Sequence, residues 1–210
     1  MHLIGYWIES LLDDRYFPPQ ELVGALPAET KARVIAYLDQ GSVFEVYRGA
    51  SWCRFGCHHH PMGNAELTDG KWVWPTGLSH YVRDHDVMLP DRFLRHVLEG
   101  GSRPPTRLPG HPPSDKLWRE WCSAISSRRL QPALATARAN ADLKAQTLRE
   151  AHWKDLEGKI GVSESRCLQY GCTGHALAGT SLCAMHGSRL DAHDPGIVAY
   201  HEGLFELLNG

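Results

Sequence analysis

Two clusters of cysteine and histidine constrain this chain more strongly than any other feature of its sequence. The first consists of Cys53, Cys57, His80 and His85, and the second of Cys167, Cys172, Cys183 and His186. Thiolate sulfur and neutral imidazole nitrogen are the usual ligands of tetrahedral zinc, and close Cys spacing with interleaved His favours metal over disulfides. The sequence therefore predicts two structural zinc ions, one in each half of the chain.

The fourth ligand of the first site is open from the sequence alone. His80 and His85 are five residues apart, which on a regular helix places them about 140° from each other. The histidine run His58–His60 is an alternative source of this ligand, whereas an irregular turn at Asp84 would bring His80 into the site. We rank His80 below the two cysteines and His85, and above the histidine run.

The first cluster has the order of a known class of zinc module. Two cysteines, a strand and two histidines on a helix resemble the Cys2His2 zinc fingers, although the gap between Cys57 and His80 exceeds the roughly twelve residues of that family. The same half also resembles a family of bacterial proteins of unassigned function. That resemblance is carried by Cys53-Arg54, Leu67-Thr68-Asp69-Gly70, Trp72-Val73-Trp74-Pro75, Gly77-Leu78, His80-Tyr81-Val82 and His85. It implies a shared N-terminal module and carries no activity with it.

The second cluster is compact, and Gly171 and Gly174 lie where sharp turns are needed. It resembles the short zinc knuckles, Cys-x4-Cys followed by Cys-x2-His, of bacterial and phage proteins, which often lie beside nuclease or DNA-binding domains. Three thiolates and one imidazole leave a zinc site with one excess negative charge. Arg166, next to Cys167, fits that charge, and His175 is the competing ligand.

Hydrophobic periodicity predicts an α+β chain that is mostly helical. A small ββα zinc module lies in a helical N-terminal domain, followed by a helical hairpin with a C-terminal zinc knuckle. Predicted domains are residues 1–100 and 114–210, joined by a Pro/Gly linker over 101–113. Predicted helices cover residues 6–12, 28–40, 117–125, 132–156 and 195–208, and predicted strands cover 42–48 and 72–74. A further helix is predicted to start at Pro90, to carry Phe93, Leu94, Val97 and Leu98 on one face, and to end at Gly100-Gly101.

Charge is unevenly distributed along the chain, whose formal net charge is −2. Residues 1–91 and 160–210 are net acidic and residues 92–159 are net basic, which indicates either a phosphate-binding surface or complementarity between segments. The candidate partner-binding residues are Arg92, Arg95, Arg103, Arg107, Arg119, Arg128 and Arg129. The sequence shows no signal-peptide pattern and no apolar run of about 18 residues, so we expect a cytoplasmic protein.

These observations favour a zinc-stabilised, non-enzymatic protein-interaction module, such as an adaptor, an accessory subunit or an immunity-type inhibitor. Small residues along the 132–156 helix make a homodimer through that helix plausible. Nucleic-acid binding through the basic 92–159 segment is the alternative. A second alternative is a metal-assisted phosphodiesterase or nuclease that uses Cys57 and His58–His60 with Asp69, Asp84 or Asp86. Sequence motifs of other hydrolases and of nucleotide-binding loops are absent, which favours no enzyme.

Overall fold

The chain has a mixed α+β fold, seen in a computed structural model, and divides into two compact units. The model describes residues 1–57, 61–101, 112–169, 172–190 and 197–209. Unit 1 comprises residues 1–8, 13–131 and 208–210, and unit 2 comprises residues 9–12 and 132–207. The predicted fold class, a ββα metal module among helices followed by a helical hairpin and a knuckle, is confirmed.

Within the described residues, unit 1 contains a four-stranded sheet and four α-helices, and unit 2 contains a long helix, a two-stranded sheet and two further helices. The elements of unit 1 are β1 (His2–Leu3), α1 (Ala28–Asp39), β2 (Ser42–Val46), β3 (Ala65–Thr68), β4 (Trp72–Pro75), α2 (Leu78–His85), α3 (Asp91–Leu98) and α4 (Lys116–Ile125), with a short 3-10 helix at Pro19–Leu22. The elements of unit 2 are α5 (Gln131–Ile160), β5 (Val162–Arg166), β6 (His175–Leu177), α6 (Ala184–Leu190) and α7 (Ile197–Asn209). The first residue of α5 and the last two residues of α7 are assigned to unit 1.

The sheet of unit 1 has the order β1-β4-β3-β2, in which β1 is parallel to β4 and the other neighbours are antiparallel. The turn between β3 and β4 is closed by Asp69, whose carboxylate accepts the N–H groups of Lys71 and Trp72 at 2.8 and 2.7 Å. Gly70 has a φ of +88°, a conformation that glycine adopts without steric cost. This turn fixes the strand that leads into α2 and its two histidines.

A core of aromatic side chains supports the sheet. Trp72, Trp74, Phe93 and Trp118 are all fully buried, and the Trp118 indole N–H donates to the carbonyl of Tyr6 at 2.8 Å. Trp118 belongs to α4, so this helix packs within unit 1, and the division between units falls at residues 131 and 132. The predicted boundary placed α4 in the second domain. Most of the predicted linker, residues 102–111, lies outside the described residues.

In unit 2, side chains of α5 contact side chains of α7. Gly203 leaves room for the side chain of Leu11, because a Cβ there would lie 3.0 Å from the Leu11 Cδ1, and it would make an ordinary contact of 3.7 Å with the Cβ of Ala141. The Tyr200 hydroxyl donates to Asp142 at 2.9 Å, and Lys144 pairs with Glu202 at 2.7 Å. Among the small residues of α5, Ala141 and Ala145 are buried, Ala137 is half-buried and Ala151 is exposed. The homodimer through residues 132–156 stays a prediction.

The predicted helix over residues 6–12 is wrong. The segment is irregular, and the Ile8 N–H donates to the carbonyl of Phe17 at 3.3 Å. Leu11 donates its N–H to Tyr200 at 3.4 Å and accepts from Arg138 at 2.6 Å. The backbone groups of Ile8 and Leu11 are thus hydrogen-bonded to other segments of the chain. Trp7 and Leu11 are buried, and this tertiary packing overrides the helical pattern of apolar residues.

Candidate metal centres

The first cluster brings two sulfurs and two imidazoles to one point. The four side chains are Cys53, Cys57, His80 and His85, and their ligand atoms all lie within 4.8 Å of one another. The His85 Nε2 lies 3.3 Å from each of the two sulfurs and 3.2 Å from the His80 Nε2, which itself lies 3.3 Å from the Cys53 sulfur. This group could hold a metal ion with four protein ligands.

A tight turn after β2 presents the two cysteines. The Gly56 N–H donates to the Cys53 carbonyl at 3.2 Å, and Gly56 has a φ of +75° that favours glycine. The Phe55 N–H donates to the Cys53 sulfur at 3.4 Å, which supports negative charge there. The Arg54 guanidinium donates to the carbonyls of Ile8 and Trp52 and thereby anchors the turn.

A widened last turn of α2 explains how His80 and His85 meet. The Asp86 N–H bonds to the Tyr81 carbonyl, five residues back rather than four, and Asp86 has a left-handed φ of 51°. A turn closed over five residues rotates the chain by less than 100° per residue, so two side chains five apart come closer to one face. The irregular turn that would recruit His80 is therefore present. The run His58–His60 lies outside the described residues.

Neighbouring side chains fix both imidazole rings. The Asp84 carboxylate lies 2.7 Å from the His80 Nδ1, one helical turn away, which leaves the His80 Nε2 as the ligand atom. The Phe55 ring stacks on the His85 ring with a centroid distance of 4.0 Å and an interplanar angle of 5°. Neither contact was anticipated from the sequence, although the i,i+4 spacing of Asp84 and the position of Phe55 between the cysteines were visible signals.

Burial governs the electrostatics of the first centre. Desolvation raises the pKa of the Cys53 thiol, with the nearby Cys57 adding to the effect. Desolvation, followed by the charge of His80, lowers the pKa of His85 and favours its neutral form. Neutral imidazole is the form that binds metal, and a bound cation would favour the thiolate that burial disfavours.

The second cluster is formed by the β5–β6 hairpin and the start of α6. Its members are Cys167, Cys172, Cys183 and His186, whose ligand atoms also lie within 4.8 Å of one another. The His186 Nδ1 lies 3.5 Å from the Cys167 sulfur and 3.3 Å from the Cys183 sulfur. The sulfurs of Cys172 and Cys183 are 3.9 Å apart, far longer than the disulfide bond length of about 2.05 Å, and all six cysteines are free.

Backbone N–H groups favour negative charge in this second cluster. Hydrogen bonding from the Cys183 backbone is the main cause that lowers the pKa of Cys167, to about 6. The Gly174 N–H donates to the Cys172 sulfur at 3.4 Å. Arg166, expected to balance the thiolates, instead donates to the Thr173 carbonyl at 2.8 Å. The competing ligand His175 lies 3.1 Å from the Ser163 carbonyl through its Nδ1 and is not in the cluster.

The predicted partner-binding arginines have different environments. Arg92 and Arg95 are exposed on α3. Arg119 pairs with Asp115 at 3.0 Å. Arg128 donates to the Ser123 hydroxyl, and Arg129 donates to the Gln20 carbonyl. Arg103 and Arg107 lie outside the described residues, so the set as a whole stays a prediction.

The carboxylates of the phosphodiesterase hypothesis are engaged elsewhere in the described residues. Asp69 is buried and bonds to the Tyr37 hydroxyl at 2.5 Å and to the His96 Nε2 at 2.7 Å. Asp84 contacts His80, and Asp86 pairs with Lys31 at 2.6 Å. The buried network of Tyr37, Asp69 and His96 ties α1, the β3–β4 turn and α3 together, and no local pattern of residues predicts it.

Comparisons with known proteins identify no relative. No protein-family model matches the chain, and neither the curated proteins nor the solved structures give a match. Within the described ranges, no helix is long and apolar enough to cross a membrane.

Proposed function

We propose that this protein is a zinc-stabilised, non-enzymatic protein-interaction module that holds two structural zinc ions. Tetrahedral zinc with bonds of about 2.3 Å to sulfur and about 2.0–2.1 Å to nitrogen separates S and N ligands by roughly 3.5 Å, N and N by roughly 3.3 Å, and S and S by roughly 3.8 Å. The corresponding separations here are 3.3–3.5, 3.2 and 3.9 Å. This agreement, seen in four ligand pairs of the first cluster and three of the second, carries the proposal.

A structural rather than catalytic role follows from the number of ligands. A catalytic zinc keeps a position for water or substrate, whereas structural sites are filled by four protein ligands. Each cluster supplies four donors, and the contacts around them are those of a scaffold: Phe55 covers His85, and Asp84 orients His80. A partner protein is then the natural target of the surfaces that these sites hold in shape, and a cytoplasmic location is part of the same proposal.

Metal analysis of the purified chain tests this proposal. We expect two equivalents of zinc per chain, one equivalent in Cys53→Ser and one in Cys183→Ser. Cys122→Ser is the matched control, because Cys122 is buried in α4 and belongs to neither cluster. It should retain both equivalents. A folded wild-type chain with less than one metal equivalent would contradict the proposal.

Nucleic-acid binding remains the second candidate, supported by the exposed Arg92 and Arg95. These cations lie about one turn apart on α3, and neither has a hydrogen bond or ion pair among the described residues. If they contact phosphates, affinity falls steeply with salt, and removing both arginines reduces the salt slope by about two. Binding that is absent at low salt would reject this candidate. The phosphodiesterase stays the third candidate and requires metal-dependent hydrolysis by the zinc-loaded protein.

A further inference from the structure

The outer edge of β2 is an exposed apolar strip. Among the described residues, β2 pairs with β3 on one side and with no strand on the other. Four large apolar side chains on β2, or within six residues of its end, are exposed: Val43 (61%), Val46 (63%), Tyr47 (45%) and Trp52 (50%). Edge strands usually carry charges or proline, because their free N–H and C=O groups can pair with another chain. This edge carries the exposed charges of Glu45 and Arg48, but it also exposes large apolar residues, and these indicate an interaction surface.

Hydrogen bonds within the sheet show which backbone groups face this edge. The Tyr47 N–H donates to Asn64 at 2.7 Å, while the Ala65 carbonyl accepts from Thr76, on the opposite side of β3, at 3.0 Å. Val46 lies opposite Ala65 in the antiparallel ladder. This is therefore a non-hydrogen-bonded pair, in which the N–H and C=O of Val46 point away from β3.

We propose that this edge pairs with the same edge of a second copy, in an antiparallel seam whose twofold axis passes at Val46. In an antiparallel seam, two residues that lie directly opposite each other have their side chains on the same face of the sheet. Because the two strands are identical, the twofold axis therefore passes at one residue, which lies opposite the same residue of the second copy. An axis at Glu45 would oppose two carboxylates, and an axis at Arg48 would oppose two guanidiniums. Like charges directly opposite each other destabilise strand pairing.

The register at Val46 satisfies the charge pattern of the strand. It opposes Val46 to itself and Glu45 to Tyr47 of the second copy. Within one chain the Tyr47 hydroxyl donates to the Glu45 carboxylate at 3.0 Å. The residues opposed across the seam are therefore a hydrogen-bond donor and an acceptor that suit each other. The extra residue of the β-bulge lies between Val43 and Glu45, so the strand is regular from Glu45 onward. The strand is thus its own complement, which favours a second copy over a foreign strand.

This inference deepens the proposed interaction function and rests on it. The turn that carries Cys53 and Cys57 lies in the loop of the β2–β3 hairpin, beyond the last pairing of its two sides, in which the Ser51 N–H donates to the Gly63 carbonyl at 3.0 Å. Metal at the first centre would hold the end of the hairpin and keep its outer edge extended.

Sedimentation velocity of the zinc-loaded full chain over a concentration series tests the seam. We expect a reversible dimer, and Val46→Lys should raise its dissociation constant at least about tenfold because two ammonium groups would face each other at the axis. Val46→Pro removes the outward N–H without removing a bond of the sheet and should have a similar effect. Leu143→Lys is the control, because it also replaces an exposed apolar side chain (72% exposed) by lysine, but on α5. This variant should leave the dimer intact.

Three results would overturn this assignment. They are a wild-type chain that stays monomeric at its highest soluble concentration, a dimer unaffected by both Val46 variants, and a dimer lost in Leu143→Lys but kept in the Val46 variants. Zinc content measured on the same samples separates the two proposals. A monomer with two zinc equivalents rejects the seam alone, whereas a folded, metal-free dimer rejects the zinc proposal alone.

Discussion

The two Cys/His clusters share a ligand geometry but have very different surroundings. The first is joined to the large core of unit 1: Cys53 and Tyr81 are only 5 and 4% exposed and belong to the same apolar cluster. The second is held by a two-stranded sheet and a short helix, and Leu168 and Met185, each next to a ligand, are 77 and 50% exposed. A small hairpin with little apolar burial cannot hold its shape alone. We therefore expect metal to add stability to the first centre, whose surroundings are folded without it, and to be required for the second centre to fold.

Removing both metals should produce the largest effect and should separate the two regions. Structural zinc contributes about 10–16 kcal/mol of apparent folding free energy to a small module. Hydrogen exchange after chelation should show lost protection at Cys167 and Leu177, whose N–H groups bond to Gly174 and Leu182 in the knuckle. The Ile4 N–H, bonded to Val73 in the sheet of unit 1, should stay protected. Equal loss in both units would break the comparison.

Asp69→Ala should have the next largest effect and should act on unit 1 without touching either cluster. The buried carboxylate accepts from Lys71, Trp72 and Tyr37 and contacts His96, so its removal leaves several buried polar groups without a partner. We expect a loss of about 3–5 kcal/mol in the free energy of unfolding, measured by denaturant titration with zinc bound.

The control for this variant is Asp39→Ala, which removes a half-exposed ion pair to Arg83. That change should cost less than about 1 kcal/mol. Equal effects of the two substitutions would show that the buried network does not support unit 1 in the way we describe.

Asp84→Asn should weaken zinc binding at the first centre by about 10–100-fold, because the carboxylate contacts the His80 Nδ1 and orients the ring. Competition with a chromophoric chelator measures this affinity, and the second centre in the same chain is the internal reference. Asp86→Asn is the control, because it removes a charge two residues further along the chain. Asparagine tolerates the left-handed backbone of this position, so the zinc affinity of the first centre should be nearly unchanged. Similar losses in both variants would indicate a general charge effect instead.

Phe55→Leu should give the smallest effect, a loss of about 1 kcal/mol in the free energy of unfolding of the zinc-loaded protein. The substitution removes the ring that stacks on His85 while keeping an apolar side chain. Phe55→Tyr keeps the ring and should retain nearly full stability in the same thermal or denaturant measurement. If the leucine variant matches wild type, the stack contributes nothing and the first centre resembles the second more closely than we propose.

Local signals in the sequence were enough to predict most helices and the composition of the clusters. Pro27 and Pro90 precede α1 and α3, whose bounds lie within a residue or so of the prediction. The residues that form the second cluster follow from spacing alone, because its four ligands are close in the chain. The first cluster required more, since the choice of His80 depends on the widened turn at Asp86, which no residue pattern specifies.

Features set by contacts between distant residues were not predictable. The segment at residues 6–12 has a helical apolar pattern, but its backbone bonds to Phe17, Tyr200 and Arg138. Likewise, α4 follows the predicted linker, yet its Trp118 enters the core of unit 1 and bonds to Tyr6. In both cases burial against a partner far along the chain decides the structure, and a single sequence does not reveal that partner.

X-ray absorption at the zinc edge of the metal-loaded chain tests the central claim most directly, namely that both metal ions are saturated by protein ligands. The first cluster offers two sulfurs and two nitrogens, and the second offers three sulfurs and one nitrogen. We therefore predict an average zinc coordination shell with more sulfur than nitrogen and no oxygen ligand. A shell that contains an oxygen ligand, or fewer than four ligands per zinc, would contradict the claim and would make a catalytic centre the better account.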